Sequence, residues 1–102
     1  MPQLYKLSKY KTKVEHEQGW TLVKLFKTYV VAFNDEWIVL NTGGWRTQTT
    51  KNRMNQASNQ FHLGYWVYQS GGNWIVNITG DGWNTLKKAV LFKNDMLYIK
   101  RK

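Results

Sequence analysis

Hydrophobic and polar positions fall into two rhythms along this chain. Residues 28–33 and 37–40 are β-branched and aromatic, and Asn34, Asp35 and Glu36 separate them. Such residues fit a pleated surface, and a short polar break between two apolar runs marks a hairpin. A second hairpin is predicted from residues 65–68 and 74–78, joined by a turn that contains Gly71 and Gly72. A third is predicted from residues 89–92 and 96–99, around Lys93, Asn94 and Asp95.

Between the first two hairpins the period changes. Met54, Ala57, Ser58 and Phe61 recur at spacings of three, four and seven, which puts them on one side of a helix. A threonine hydroxyl accepts from an otherwise orphan amide, so Thr49 or Thr50 is the expected N-cap. Gly64 suits the left-handed position after Leu63. The prediction is one principal helix over about residues 49–63, with its narrow apolar stripe packed on an antiparallel sheet built from hairpins. That is a small α+β domain, and no linker divides residues 1–102. In the first 18 residues Lys6, Lys9, Lys11 and Lys13 interleave with Leu7, Tyr10 and Val14. This segment reads either as a basic arm or as an edge strand guarded by lysine.

Charge narrows the choice of partner. Fifteen Lys and Arg stand against six Asp and Glu, a net charge of +9, and such an excess attracts polyanions or acidic protein surfaces. There is no cysteine, hence no disulfide and no thiolate ligand or nucleophile. No run approaches the roughly 18 apolar residues of a membrane span, and residues 1–6 lack the apolar stretch of a signal peptide. The expectation is an intracellular protein with no membrane partner.

Chemistry concentrates where a strand runs into the helix. Asn41, Thr42, Gly43, Gly44, Trp45, Arg46 and Thr47 lead to Thr49, Thr50, Lys51 and Arg53. Free amides at a helix N-terminus, with hydroxyls and cations beside them, suit an anion such as phosphate. The nucleotide loop GxxxxGK[ST] is excluded, because Thr50 precedes Lys51 where that loop needs glycine. Taken alone, Gly43 and Gly44 read as a tight turn and Trp45 as a plug for the core. The helix surface adds a strip of Lys51, Asn55 and Asn59 beside one of Asn52, Gln56 and Gln60, with no acidic residue over 49–63. Amides can read base edges while cations hold the backbone. The expected site is a nucleic-acid interface in which Arg46, Lys51 and Arg53 hold phosphates with Thr47, Thr49 and Thr50. Asn52, Asn55, Gln56 and Asn59 approach bases, and Lys6, Lys9, Lys11 and Lys13 form a secondary basic patch. The alternative partner is a host or defence protein that the chain modulates.

Six Trp, six Tyr and four Phe also invite base stacking. Trp37, Trp66, Trp74, Phe33 and Phe92 are assigned to the core, which leaves Trp83 and Tyr65 as candidate exposed rings. Catalysis is not expected. The histidines His16 and His62 lack ligand spacing, alternation puts His16 opposite Glu15 and Glu17, and no serine has a GxSxG context. A small hydrolase would have to join Asp81 or Glu17 to His62 or Arg46. Neither metal nor cofactor is expected.

The run from Gly43 to Asn55, followed by Gln56, fits the pattern GGW-x-T-x-TTK-x-R-x-N. It resembles a family of small proteins of undefined function encoded by bacteriophages and mobile elements. The likeness spans roughly residues 19–77 and leaves the lysine-rich start outside it. It implies a viral or prophage origin and a bacterial cytoplasm as workplace, and it brings no activity with it.

Overall fold

The computed structural model describes residues 11–79 and 88–101. They form β1 (Thr12–Glu17), β2 (Trp20–Leu25), β3 (Thr28–Phe33), β4 (Trp37–Asn41), α1 (Gln48–Phe61), β5 (Tyr65–Ser70), β6 (Asn73–Ile78), β7 (Lys88–Leu91) and β8 (Met96–Lys100). The expected α+β class holds, with antiparallel strands and, among the described residues, one helix. The strands build two sheets, ordered β1-β2-β3-β4-β8 and β5-β6-β7.

Strand periodicity decides which side chains meet. Val14, Val23, Val31, Leu40 and Leu97 are successive cross-strand partners on the inner face of the larger sheet. Val23, Val31 and Leu40 lose all contact with solvent there. The outer face carries Lys13, Lys24, Ala32, Val39 and Tyr98. A register shift opposite Val23 and Lys24 inserts one extra residue in β3. Val30 and Val31 are therefore both buried, and Tyr29 turns outward to Lys24. One core joins both sheets and α1, through Met54, Ala57, Tyr65, Val67, Trp74, Val76, Phe92 and Ile99.

Two expectations are corrected. The third hairpin does not exist, because β7 pairs with β6 in the small sheet and β8 with β4 in the large one. The chain crosses between sheets at residues 92–95, where Arg46 donates to the carbonyls of Phe92, Lys93 and Asn94 at 3.0, 3.1 and 2.8 Å. A guanidinium fork thus satisfies the carbonyls of the crossing, of which a hairpin ladder would have reached only that of Phe92. The helix also starts and stops earlier than predicted. Thr47 is the N-cap and accepts from the Thr50 amide, and His62 takes the left-handed turn with φ 56°. The Leu63 amide then bonds the Ser58 carbonyl at 3.0 Å, the closing bond of a Schellman end. Gly64 is left-handed too, but lies beyond that closure. Of the alternatives for the first 18 residues, Thr12–Glu17 is an edge strand.

Candidate functional site

Gly43 and Gly44 occupy the centre of a turn closed by the Trp45 amide on the Thr42 carbonyl at 2.9 Å. Their φ values of 62° and 86° are both left-handed, as a type I′ turn requires. The Asn41 and Thr42 side chains accept from the Gly43 and Gly44 amides. A Cβ on Gly43 would lie 2.7 Å from both Cγ2 and Oγ1 of Thr28, so the turn sits directly on the start of β3.

This turn does not plug the core with Trp45, as the sequence suggested. It holds Trp45 in solvent, 68% exposed. Beside Trp45 opens a pocket of about 740 Å³. Buried Leu25, Val30, Thr42 and Thr50 form its depth, and the exposed Trp45, Phe26 and Thr47 form its rim. Five residues of the GGW-x-T-x-TTK run or its approach, Thr42, Trp45, Thr47, Thr49 and Thr50, therefore converge on one concavity.

Phe26 was not singled out by the sequence. It lies in the two-residue connection between β2 and β3, has a left-handed φ of 57°, and is 59% exposed. Bulky residues rarely adopt that conformation, and such strain costs roughly 1–3 kcal/mol. The link Phe26-Lys27 contains no glycine, proline or asparagine, so residues 20–33 read as one run and the turn stayed hidden.

Phe26 also borders a second, smaller concavity of about 290 Å³, together with Lys11, Thr12, Lys13 and Lys24. Lys13 and Lys24 are direct cross-strand partners. Like charges so placed repel, and no carboxylate intervenes in that register pair. Lys24 Nζ lies 5.4 Å from the Tyr29 ring centroid, which offsets part of the repulsion. Of the secondary basic patch, Lys11 and Lys13 are thus brought together, with Lys24 added. Lys6 and Lys9 lie outside the described residues.

The helix face behaves differently from expectation. Asn55 is 4% exposed, and its amide donates to the Val67 carbonyl at 2.9 Å while accepting the Val67 amide at 2.7 Å. Ser58 does the same for the amide and carbonyl of Tyr65. Val67 and Tyr65 belong to β5, an edge strand of the small sheet, so two helix side chains stand in for a further strand there. Gln56 is buried and accepts from Arg53, which is itself buried and donates to Thr12 Oγ1 at 2.9 Å. Asn55, Gln56 and Arg53 therefore have no access to a base or a backbone phosphate in this conformation. Arg46 is committed to the 92–95 crossing, and its Nε lies 3.9 Å from Asp95 Oδ1. Thr47 and Thr50 cap the helix and share a contact of 3.1 Å between their hydroxyls. Lys51 reaches Gln69 Oε1 at 3.3 Å and lies over Trp74. Asn52 accepts from Gln48, and Asn59 is half-buried. Thr49 remains at the pocket.

The aromatic assignment changes as well. Tyr65 is completely buried and donates to the Met54 carbonyl at 2.6 Å, whereas Trp37 is exposed on the outer face under Lys100. Trp83 and Asp81 lie outside the described residues. Burial pushes the Tyr65 phenol well above its ordinary pKa. The Tyr29 phenol is also raised, first by its 3.0 Å bond to Glu15 Oε1. Among the described residues no three His, Asp or Glu side chains gather as a metal would need. No helix among them is long and apolar enough to cross a membrane.

Fold and site together define a small basic α+β protein whose glycine turn and helix start build an apolar pocket next to a lysine cluster. The model of the Kyanoviridae Gp96 protein family matches residues 3–98, and the chain belongs to that phage family. No curated protein and no solved structure matches it.

Proposed function

We propose that this protein is a non-catalytic nucleic-acid-binding protein of the phage, acting in the cytoplasm of the bacterial host. The observation that carries the reading is the convergence of Lys11, Lys13 and Lys24 on one concavity, with Lys13 directly opposite Lys24. Repelling cations side by side lower stability, and a polyanion compensates them. The net charge of +9 supplies the long-range attraction. Phosphate contact moves, in this reading, from Arg46 and Arg53 to the rim of the large sheet, with Thr49 and Lys27 beside it.

Fluorescence anisotropy with a labelled oligonucleotide across a salt series tests the proposal. Binding weakens linearly in log salt, and Lys13→Gln with Lys24→Gln lowers the slope by about 0.7 per phosphate lost on a single strand. An unchanged slope in the folded double variant removes the lysine cluster from the account.

A second reading, docking on a host or defence protein, is favoured by exposed Met96 and Tyr98 on β8, which ends the large sheet. It requires that Tyr98→Ser abolish capture of a host protein while leaving any oligonucleotide affinity intact.

A further inference from the structure

We propose that the pocket between Phe26 and Trp45 receives an unpaired base of a single-stranded nucleic acid, whose backbone follows Lys11, Lys13 and Lys24. This rests on the nucleic-acid reading above and names the form of the ligand.

Phe26 and Trp45 are large apolar rings held in solvent at opposite origins in the chain, one on the β2–β3 link and one on the Gly43-Gly44 turn. Both line the same pocket. Its volume of about 740 Å³ lies within the range of roughly 300–1,000 Å³ typical of small-ligand sites. Exposed rings gain from stacking, and every base has a face to offer them. Thr28 and Thr49 line the same pocket, each with a hydroxyl. A hydroxyl both donates and accepts, so it can meet the edge of any base.

The charge pattern selects a nucleotide over an uncharged aromatic ligand. Phe26 is a wall of both concavities, with the apolar pocket on one side and the three lysines on the other. A base and its phosphate are likewise placed on either side of one sugar. In a duplex the bases are stacked and paired, and none can enter a recess without being extruded, so a single strand is the better ligand.

The test compares three fluorescein-labelled probes in anisotropy titrations at low salt. They are a thymidine oligomer of about 12 nucleotides, an abasic deoxyribose-phosphate oligomer of equal length and charge, and the matching duplex. The thymidine oligomer binds about ten-fold or more tightly than the abasic one, as expected for one or two stacked bases. Trp45→Ala removes that margin and leaves abasic affinity unchanged, whereas Trp45→Phe restores most of it. Trp45 lies outside the core, and thermal melts of each variant verify folding.

Equal affinity for the thymidine and abasic oligomers overturns the proposal. So does a Trp45→Ala variant that retains the margin, the result expected if the pocket holds an apolar side chain of a protein instead. If lysine-dependent binding persists in either case, the nucleic-acid reading stands and only the base pocket fails. If none of the probes binds, both fall together.

Discussion

Asn55 illustrates how one side chain can carry a structural duty that its residue type disguises. Its amide has one donor and one acceptor at the spacing of a peptide group, and both meet Val67. Asn55→Ala leaves a buried amide and a buried carbonyl of β5 without partners, and each unsatisfied group costs about 1–3 kcal/mol. The expected loss is about 2–4 kcal/mol in urea unfolding, with oligonucleotide affinity unchanged in the folded fraction. A fully stable variant with weakened binding returns Asn55 to the interface. Tyr65 makes a residue-scale prediction about pH. Its folded pKa is raised, so its contribution to stability is fully present below the ordinary tyrosine pKa of 10.0. That contribution declines as pH rises through the ordinary value toward the folded one. Tyr65→Phe is therefore expected to lose about 1 kcal/mol near neutrality and to flatten the decline in the urea midpoint above about pH 10. Equal alkaline declines in both proteins contradict this assignment.

The decisive element is the turn between β4 and α1. Gly43 serves two constraints at once, a left-handed φ and contact with Thr28. Gly43→Ala adds strain of about 1 kcal/mol from the backbone and about 1–3 kcal/mol from overpacking. Thr28→Ala in the same chain relieves the second component and leaves the first. A double-mutant cycle by chemical denaturation thus yields a favourable coupling of about 1–3 kcal/mol, and additive effects mean that the turn does not rest on Thr28. The helix that follows is capped by Thr47, not by Thr49 or Thr50. Thr47 and Thr50 join at the cap, and together with Thr49 they also line the pocket, so the first turn of the helix and the concavity share the same threonines.

At the scale of the whole molecule, two sheets share one core, and the crossing between them depends on Arg46. The guanidinium bonds three carbonyls and lies 5.5 Å from the ring centroids of both Trp74 and Phe92. Arg46→Lys keeps the charge and loses the fork, so it lowers stability by about 2–3 kcal/mol, nearly as much as Arg46→Ala. A thermal melt reads this directly, and a Lys variant as stable as the parent assigns Arg46 a purely electrostatic role. Charge acts over the same scale with the opposite balance. Lys13→Gln relieves the repulsion with Lys24 and raises stability by a few tenths of a kcal/mol at low salt. The same substitution weakens oligonucleotide binding. Movement of both quantities in one direction breaks the link between destabilising charge and ligand.

Much of the architecture was legible along the chain. β-branched and aromatic runs at period two, broken by Asn34-Asp35-Glu36 and by Gly71-Gly72, defined four strands, because a strand's burial pattern is local. The stripe of Met54, Ala57, Ser58 and Phe61 located the helix for the same reason. The excess of lysine and arginine belongs to composition and needs no fold. The partners of polar groups were decided by tertiary structure alone. An asparagine on a helix reads the same whether it faces water, a base or the edge of β5, and only the docking of α1 on that strand settles which. The separation of β7 from β8 is equally non-local, since residues 92–95 resemble a hairpin turn until Arg46 reaches them across the fold. Thr42 and the Gly43-to-Lys51 run contribute five of the residues that line the pocket, but in a different arrangement from the one expected. Trp45 faces solvent, and the opposing wall of the pocket, Phe26, comes from a turn with no local signal. Two segments far apart in sequence form one site only when β3 and the glycine turn pack together, and that contact, Thr28 against Gly43, is invisible to any periodicity.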